Sequence, residues 1–288
     1  MKISKAVIVL CMLAALFGAV EAGTGLFWMG GGQPFTFTAL HGESVQINGQ
    51  GIYAFDTAFK VPILRGTDAV SLFLALPLLV IALWLYRRGS LRGGVLLVGV
   101  LSFYVYNAAS LALGVAYNNL FLVYVAYFST SLFAFILVIN SIDGQVLANR
   151  VGPGFPHTGA AVLMFVAGLA LLVAWLGDIL AALATGGVPD IGSYTTEVTY
   201  VIDLGIIAPL TVLAGIQVLR RRAMGYRLAL VIMILLAIVG VMVSSQTAFQ
   251  LAAGIDLPLP VLIGKTVSFV LLAVFAVGIL ARTFRKME

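Results

Sequence analysis

Charged residues are scarce in this chain. They make up 9% of 288 residues, while 62% are hydrophobic. Soluble domains carry about 25% charged residues, so this chain cannot cover a water-facing surface of its size. A soluble enzyme is excluded, and a mean hydropathy of +1.12 points to an integral membrane protein. Cysteine is nearly absent. Cys11 alone allows no intramolecular disulfide, thiol redox pair or cysteine-rich metal site. Two histidines, His41 and His157, are too few for haem or poly-histidine ligation. His41 with Glu43 gives two ligands, which do not make a metal site. No metal and no other cofactor is expected. Nucleotide-binding, hydrolase and zinc-protease motifs are missing, as are a potassium-filter sequence and a voltage-sensor arginine ladder. The net charge of +5 does not imply nucleic acid, because the basic residues lie mainly at the ends of apolar runs.

Long apolar runs are what the chain has. About 20 apolar residues cross the roughly 30 Å of bilayer hydrocarbon. Eight runs qualify: 6–28, 67–86, 93–115, 119–140, 158–182, 199–219, 226–251 and 260–281. All are too long for barrel strands. The expected fold is all-α, a polytopic membrane helix bundle of about eight transmembrane helices, with the lipid bilayer as its surroundings.

Basic residues tend to stay on the cytoplasmic side. With the N-terminus inside, Lys2, Lys5, Arg87, Arg88, Arg92, Arg150, Arg220, Arg221, Arg222, Arg227, Arg282, Arg285 and Lys286 all fall inside, against Lys60 and Arg65 outside. Among the acids only Asp143 and Glu288 fall inside. The reading is a multi-pass protein of the plasma (inner) membrane with both termini cytoplasmic. A rival exists for the first run. Lys2, Lys5, an apolar stretch and Val20-Glu21-Ala22 resemble a signal peptide, and cleavage after Ala22 would leave seven spans. The run continues through Leu26, Phe27 and Trp28, so a retained helix is expected.

The outer segment 30–66 alternates around Asn48-Gly49, a hairpin signal. A small outer-face β-hairpin cap is expected there, with its turn at or near Asn48-Gly49. The inner segment 143–157, rich in Gly and Pro, reads as an irregular cytoplasmic connector. It divides the chain into a first four-helix half, 1–142, and a second, 158–288. The halves resemble each other: Asp68, Pro77-Leu78 and Arg87-Arg88 in one, Asp203, Pro209-Leu210 and Arg220-Arg221-Arg222 in the other. The preceding spans carry Glu21 and Asp178. A 4+4 parallel repeat would explain this; so would the habit of inward-running helices to end in arginine.

Helix rise, about 1.5 Å per residue, converts spacing into depth. Lys5 to Glu21 is roughly 24 Å, Arg87 to Asp68 roughly 28 Å, Arg220 to Asp203 and Arg282 to Lys265 each roughly 25 Å, and His157 to Asp178 roughly 31 Å. Glu21, Asp68, Asp178, Asp203 and Lys265 thus reach one level near the outer boundary. Asn107, Gln246 and Gln250 lie at nearby depths. Charges inside a membrane usually face a bundle interior or an aqueous cavity. These eight residues are the candidate ligand- or ion-binding set, around an outward-facing acidic vestibule in which Lys265 pairs with Asp203 or Asp178. The bland alternative is a row of solvated helix ends, with Asp68, after Thr67, serving as a helix cap. Tyrosines 104, 106, 117, 124 and 127 read as interfacial or interhelical hydrogen-bonders.

Three functions fit. The first is a small-solute or ion transporter or channel. The second is a sensor, scaffold or assembly subunit that does not transport, acting as a homo-oligomer or with a partner membrane protein. The third is a membrane enzyme acting on lipid at the outer face, with carboxylates as acid and base.

Overall fold

The computed structural model describes residues 3–287. Lys2 and Glu288, two of the charges used above for orientation, lie outside the described residues. The chain is an integral membrane helix bundle with eight helices long and apolar enough to span: α1 (Lys5–Phe27), α2 (Lys60–Arg87), α3 (Leu91–Gly114), α4 (Phe121–Ser141), α6 (His157–Thr185), α7 (Val198–Leu219), α8 (Ala223–Ala252) and α9 (Leu262–Lys286). A short helix, α5 (Gly144–Val151), joins α4 to α6.

The helices close two rings. In the first, α1 packs on α2 and α4, and α3 packs on the same two. In the second, α7 packs on α6 and α8, and α9 packs on α8 with a lighter contact to α6. The rings are joined by α8, which also packs on α2 and α3. Lipid is as apolar as leucine, so burying leucine between spans brings no hydrophobic gain. Close packing and interhelical hydrogen bonds hold the helices together instead. Small residues at crossings permit that closeness, as where Gly99 receives Ile234. Towards the arginine-rich end the seam between α3 and α8 is filled by Leu97, Leu101, Leu230 and Met233, all fully buried.

Helix α2 begins at Lys60, well before the apolar run at 67. The Thr57 side chain starts it, its Oγ1 accepting from Lys60 N at 3.1 Å. Asp68 is therefore interior to a helix and is not the cap of one. Both α2 and α7 contain a widened π-helical turn, at Ser71–Ala75 and Asp203–Ile207. Pro77 and Pro209 follow, each two residues past the end of its turn. Proline lacks an N–H and its ring crowds the carbonyl four residues back, which opens the preceding turn. A third such turn, Leu262–Val267, holds Lys265.

The segment between α1 and α2 contains antiparallel strands β1 (Phe35–Thr38) and β2 (Ser44–Ile47), with Phe35 opposite Ile47 and Thr38 opposite Ser44. Their turn lies at 39–43, where Ala39 N donates to Glu43 O at 2.8 Å, and not at Asn48-Gly49. That dipeptide makes the next turn. Gly49 has φ +74°, and a side chain there would overlap the Gln33 carbonyl. The turn sends residues 50–58 back against β2 and carries Tyr53 into the bundle. The connector 143–157 also departs from expectation, since most of it is helix α5. Asp143 caps it by accepting from Gln145 N and Val146 N, and its apolar side packs on α8.

Candidate functional site

One centre lies inside the first ring. Glu21 on α1 and Asp68 on α2 are 0% and 1% exposed, and their carboxyls come together at the Tyr53 hydroxyl. The Tyr53 hydroxyl lies 3.2 Å from Glu21 Oε1 and 3.0 Å from Asp68 Oδ2. Burial and the two acids hold that hydroxyl well above the usual tyrosine range, so it keeps its proton. One O–H donates to one acceptor at a time, and two ionised carboxylates cannot hydrogen-bond each other. A proton held on the carboxyl pair would supply the second donor that Tyr53 alone cannot. Gly25, one turn beyond Glu21, makes room for it: a methyl group there would overlap the Asp68 carboxyl and the Tyr53 hydroxyl. Arg65, one turn before Asp68, brings the nearest positive charge. Glu21 Oε2 is buried with no hydrogen-bond partner.

A second centre lies in the other ring. Trp175 Nε1 on α6 donates to Asp203 Oδ2 on α7 at 2.8 Å, and the Tyr106 side chain on α3 lies within electrostatic range of the same carboxylate. Lys265 on α9 lies within electrostatic range of Glu197 and Asp203 and 5.8 Å from the Trp175 ring.

A chamber of about 80 Å³ separates the centres. Asp68 lines it from one side and Tyr106 from the other, with Thr67, Asn107, Ser110 and Gln246 between them. Asn107 Nδ2 donates to Ser71 Oγ at 3.3 Å, and Gln246 Nε2 to Thr67 Oγ1 at 2.9 Å. Lys60 and Glu197 line the rim. Lys60 Nζ is 3.2 Å from Glu197 Oε2, 3.0 Å from Gly114 O and 3.9 Å from the centre of the Tyr194 ring. Beside this clamp, buried Asp56 Oδ1 accepts from Ala116 N at 2.9 Å and Tyr194 Oη at 2.7 Å. Burial pushes the Asp56 carboxyl up to about 6, against the pull of Ala116 N–H, Tyr194 and Lys60.

Of the eight residues singled out from sequence, Glu21, Asp68, Asn107 and Gln246 meet at or beside the chamber. Asp203 reaches it through Tyr106. Gln250 is buried one turn further along α8 and does not line the chamber. Asp178 is exposed. Trp175, one turn earlier on α6, holds the place facing Asp203 instead. Lys265 makes no ion pair within 4 Å among the described residues; there the pairing falls to Lys60 and Glu197. The acids thus form two buried centres rather than one open vestibule. Sequence reasoning passed over Tyr53, Asp56, Arg65, Trp175 and Glu197. Asp56 and Glu197 carried a signal, as loop acids each next to an apolar or aromatic residue, Phe55 and Val198. The pairing of Lys60 with Glu197 had none.

Among the described residues no three His, Cys, Asp or Glu side chains gather as a metal site. Comparison with protein-family profiles, curated proteins and solved structures gave no match.

Proposed function

We propose that this chain is a proton-linked transporter of a small solute or ion. The Glu21–Asp68 pair carries the reading. A charged side chain at membrane depth costs about 2.5–3.5 kcal/mol on insertion scales, and apolar residues of similar size would pack there at no such cost. Two acids in contact inside spanning helices mark a place where a proton is held and released. Release changes the local charge by one, directly beside a polar chamber, which is the physical requirement for coupling.

The orientation that fits has the hairpin end outside and both termini in the cytoplasm, in the plasma (inner) membrane. Arg87, Arg88, Arg220, Arg221, Arg222, Arg282 and Arg285 at the opposite end support it. A 4+4 parallel duplication fits as well. Each ring is built from four consecutive spans, and the second span of each carries an acid, a π-helical turn and a proline in the same order. Duplicated bundles are common among transporters.

The test uses full-length protein in liposomes with a pH-sensitive dye inside. Small amines, alkali cations, carboxylates and polyols are added outside in turn. At least one should move protons through the wild type and not through Glu21→Gln. Equal proton movement in both, or a response to none of the series, contradicts the proposal.

One feature favours the non-transporting reading. A groove of about 500 Å³ beside the hairpin is lined by Phe35, Phe37, Ile47 and Phe55. A second copy or another membrane protein seated there would make the cap an assembly surface.

A further inference from the structure

We infer that the chamber between α2, α3, α7 and α8 binds a monovalent cation of alkali-metal or ammonium size, in exchange for the proton shared by Glu21 and Asp68. The inference rests on the proton-linked reading above and names what such a carrier exchanges.

The hydrogen-bond accounting of the wall leads to it. The side-chain hydroxyls at the chamber are spent as donors on protein acceptors: Thr67 Oγ1 on Ile63 O at 3.0 Å, Ser110 Oγ on Tyr106 O at 2.9 Å and Thr199 Oγ1 on Glu197 Oε1 at 2.8 Å. The Tyr106 side chain lies within electrostatic range of Asp203. Gln246 Nε2 and Asn107 Nδ2 each give one of their two N–H groups to Thr67 and Ser71. The Lys60 ammonium is clamped by Glu197 and the Gly114 carbonyl. What the wall still offers is mainly acceptor capacity: the Asn107 and Gln246 amide oxygens, hydroxyl lone pairs and the Asp68 carboxyl outnumber the one spare N–H on each amide. An acceptor-rich pocket binds a hard cation or an N–H donor, since such ions take oxygen ligands. The volume, about 80 Å³, admits a small ion with a few waters.

Charge selects a monovalent ion. Glu197 is neutralised by Lys60 at 3.2 Å, and with one proton shared, Glu21 and Asp68 carry a single negative charge opposite Arg65. When that proton leaves, one uncompensated negative charge remains. The groups facing the pair are Tyr53 from the cap, Arg65 on α2, Tyr104 on α3, and Tyr124 and Tyr127 on α4. None of these adds a second cation. One cation entering the chamber as one proton leaves restores the balance. Glu21 Oε2, fully buried and unpartnered, is a second sign that this pair awaits a positive partner.

The experiment uses the full chain in nanodiscs at constant ionic strength, replacing choline chloride by the lithium, sodium, potassium or ammonium salt. Thermal unfolding and bound radioactive sodium or rubidium are read at several pH values. At least one small cation should raise Tm saturably, with the half-saturating concentration rising as pH falls, by up to about tenfold per unit where proton and cation compete one for one. The arm that responds separates alkali ions from ammonium. Asn107→Leu and Gln246→Leu should lose the shift, read as the difference between each variant's Tm in the test salt and its own Tm in choline. The wild-type titration stands even if a variant does not fold. Identical Tm in all five salts at every pH overturns the inference, as does a cation effect that ignores pH. A protonated carboxyl at Glu21 or Asp68 seen by infrared without any cation effect would sink this inference alone. Its absence would sink the reading beneath it.

Discussion

The Tyr53 hydroxyl, delivered by the loop after the hairpin, sits 3.2 Å from Glu21 Oε1 and 3.0 Å from Asp68 Oδ2, so the cap is part of the buried acid centre. Tyr53→Phe removes the hydroxyl that contacts both acids and leaves buried acceptors short of a donor. A loss of about 1–3 kcal/mol is expected, read as a lower Tm in nanodiscs. Tyr53→Phe in a Glu21→Gln/Asp68→Asn background should cost less, because the amides bring their own donors. Equal losses in both backgrounds would show that Tyr53 acts only by packing.

Two glycines on α1 form a matched pair. A side chain at Gly25 would overlap Asp68 and Tyr53, whereas one at Gly23 meets nothing within 4 Å. Gly25→Ala should lower stability by about 1–3 kcal/mol through overpacking. Gly23→Ala should be neutral or slightly stabilising, since alanine is the better helix former. Thermal unfolding of the two variants, side by side, checks this. Similar behaviour would mean that α1 does not meet α2 at this register.

Asp56 gives a pH dependence with a definite sign. Its carboxyl stands near 6 in the folded protein against an ordinary 3.8, so the native state binds the extra proton. Stability contributed by this group is greatest at low pH. It falls as pH rises through the window from about 4 to 6 and is flat above, by at most about 3 kcal/mol. Asp56→Asn keeps an oxygen for Ala116 N–H and Tyr194 and should flatten the slope of Tm across that window. An unchanged slope in the variant would assign the dependence elsewhere.

Orientation is tested by cysteine labelling in a Cys11→Ser background. Cysteines placed in segments 30–59, 186–197 and 253–258 should react with an impermeant thiol reagent added to intact cells. Those at 88–90, 142–156 and 220–222 should not. Labelling at 220–222 would invert the assignment.

Much of the architecture was legible because a spanning helix needs only a long apolar run, and eight such runs stand clear of polar loops. Depth was legible for the same reason: helix rise placed Glu21, Asp68 and Asp203 near one level. Rotation about the helix axis was not. Whether Trp175 or Asp178 faces α7 depends on a few tens of degrees that hydropathy does not encode, and Trp175 faces inward while Asp178 is exposed. The start of α2 was hidden because Lys60–Thr67 is too polar to register as a span, although Thr57 and a helical turn continue it into the membrane. Tyr53 was not singled out in the outer segment. Its role comes from the turn at Asn48-Gly49, which the pattern detected but placed inside the hairpin rather than after it. The Lys60–Glu197 pair joins residues 137 apart in sequence, and no local pattern marks such a partner.

The proton shared between Glu21 and Asp68 is the centre of the account. Infrared spectroscopy of the protein in nanodiscs, at neutral pH, observes it through the carbonyl stretch of a protonated carboxyl, which ionised carboxylates lack. The account predicts that band in the wild type. It should shift when the sample is moved into heavy water and disappear in the Glu21→Gln/Asp68→Asn double variant. A wild type without the band, or a double variant that retains all of it, would contradict the shared proton and the proton-linked function built on it.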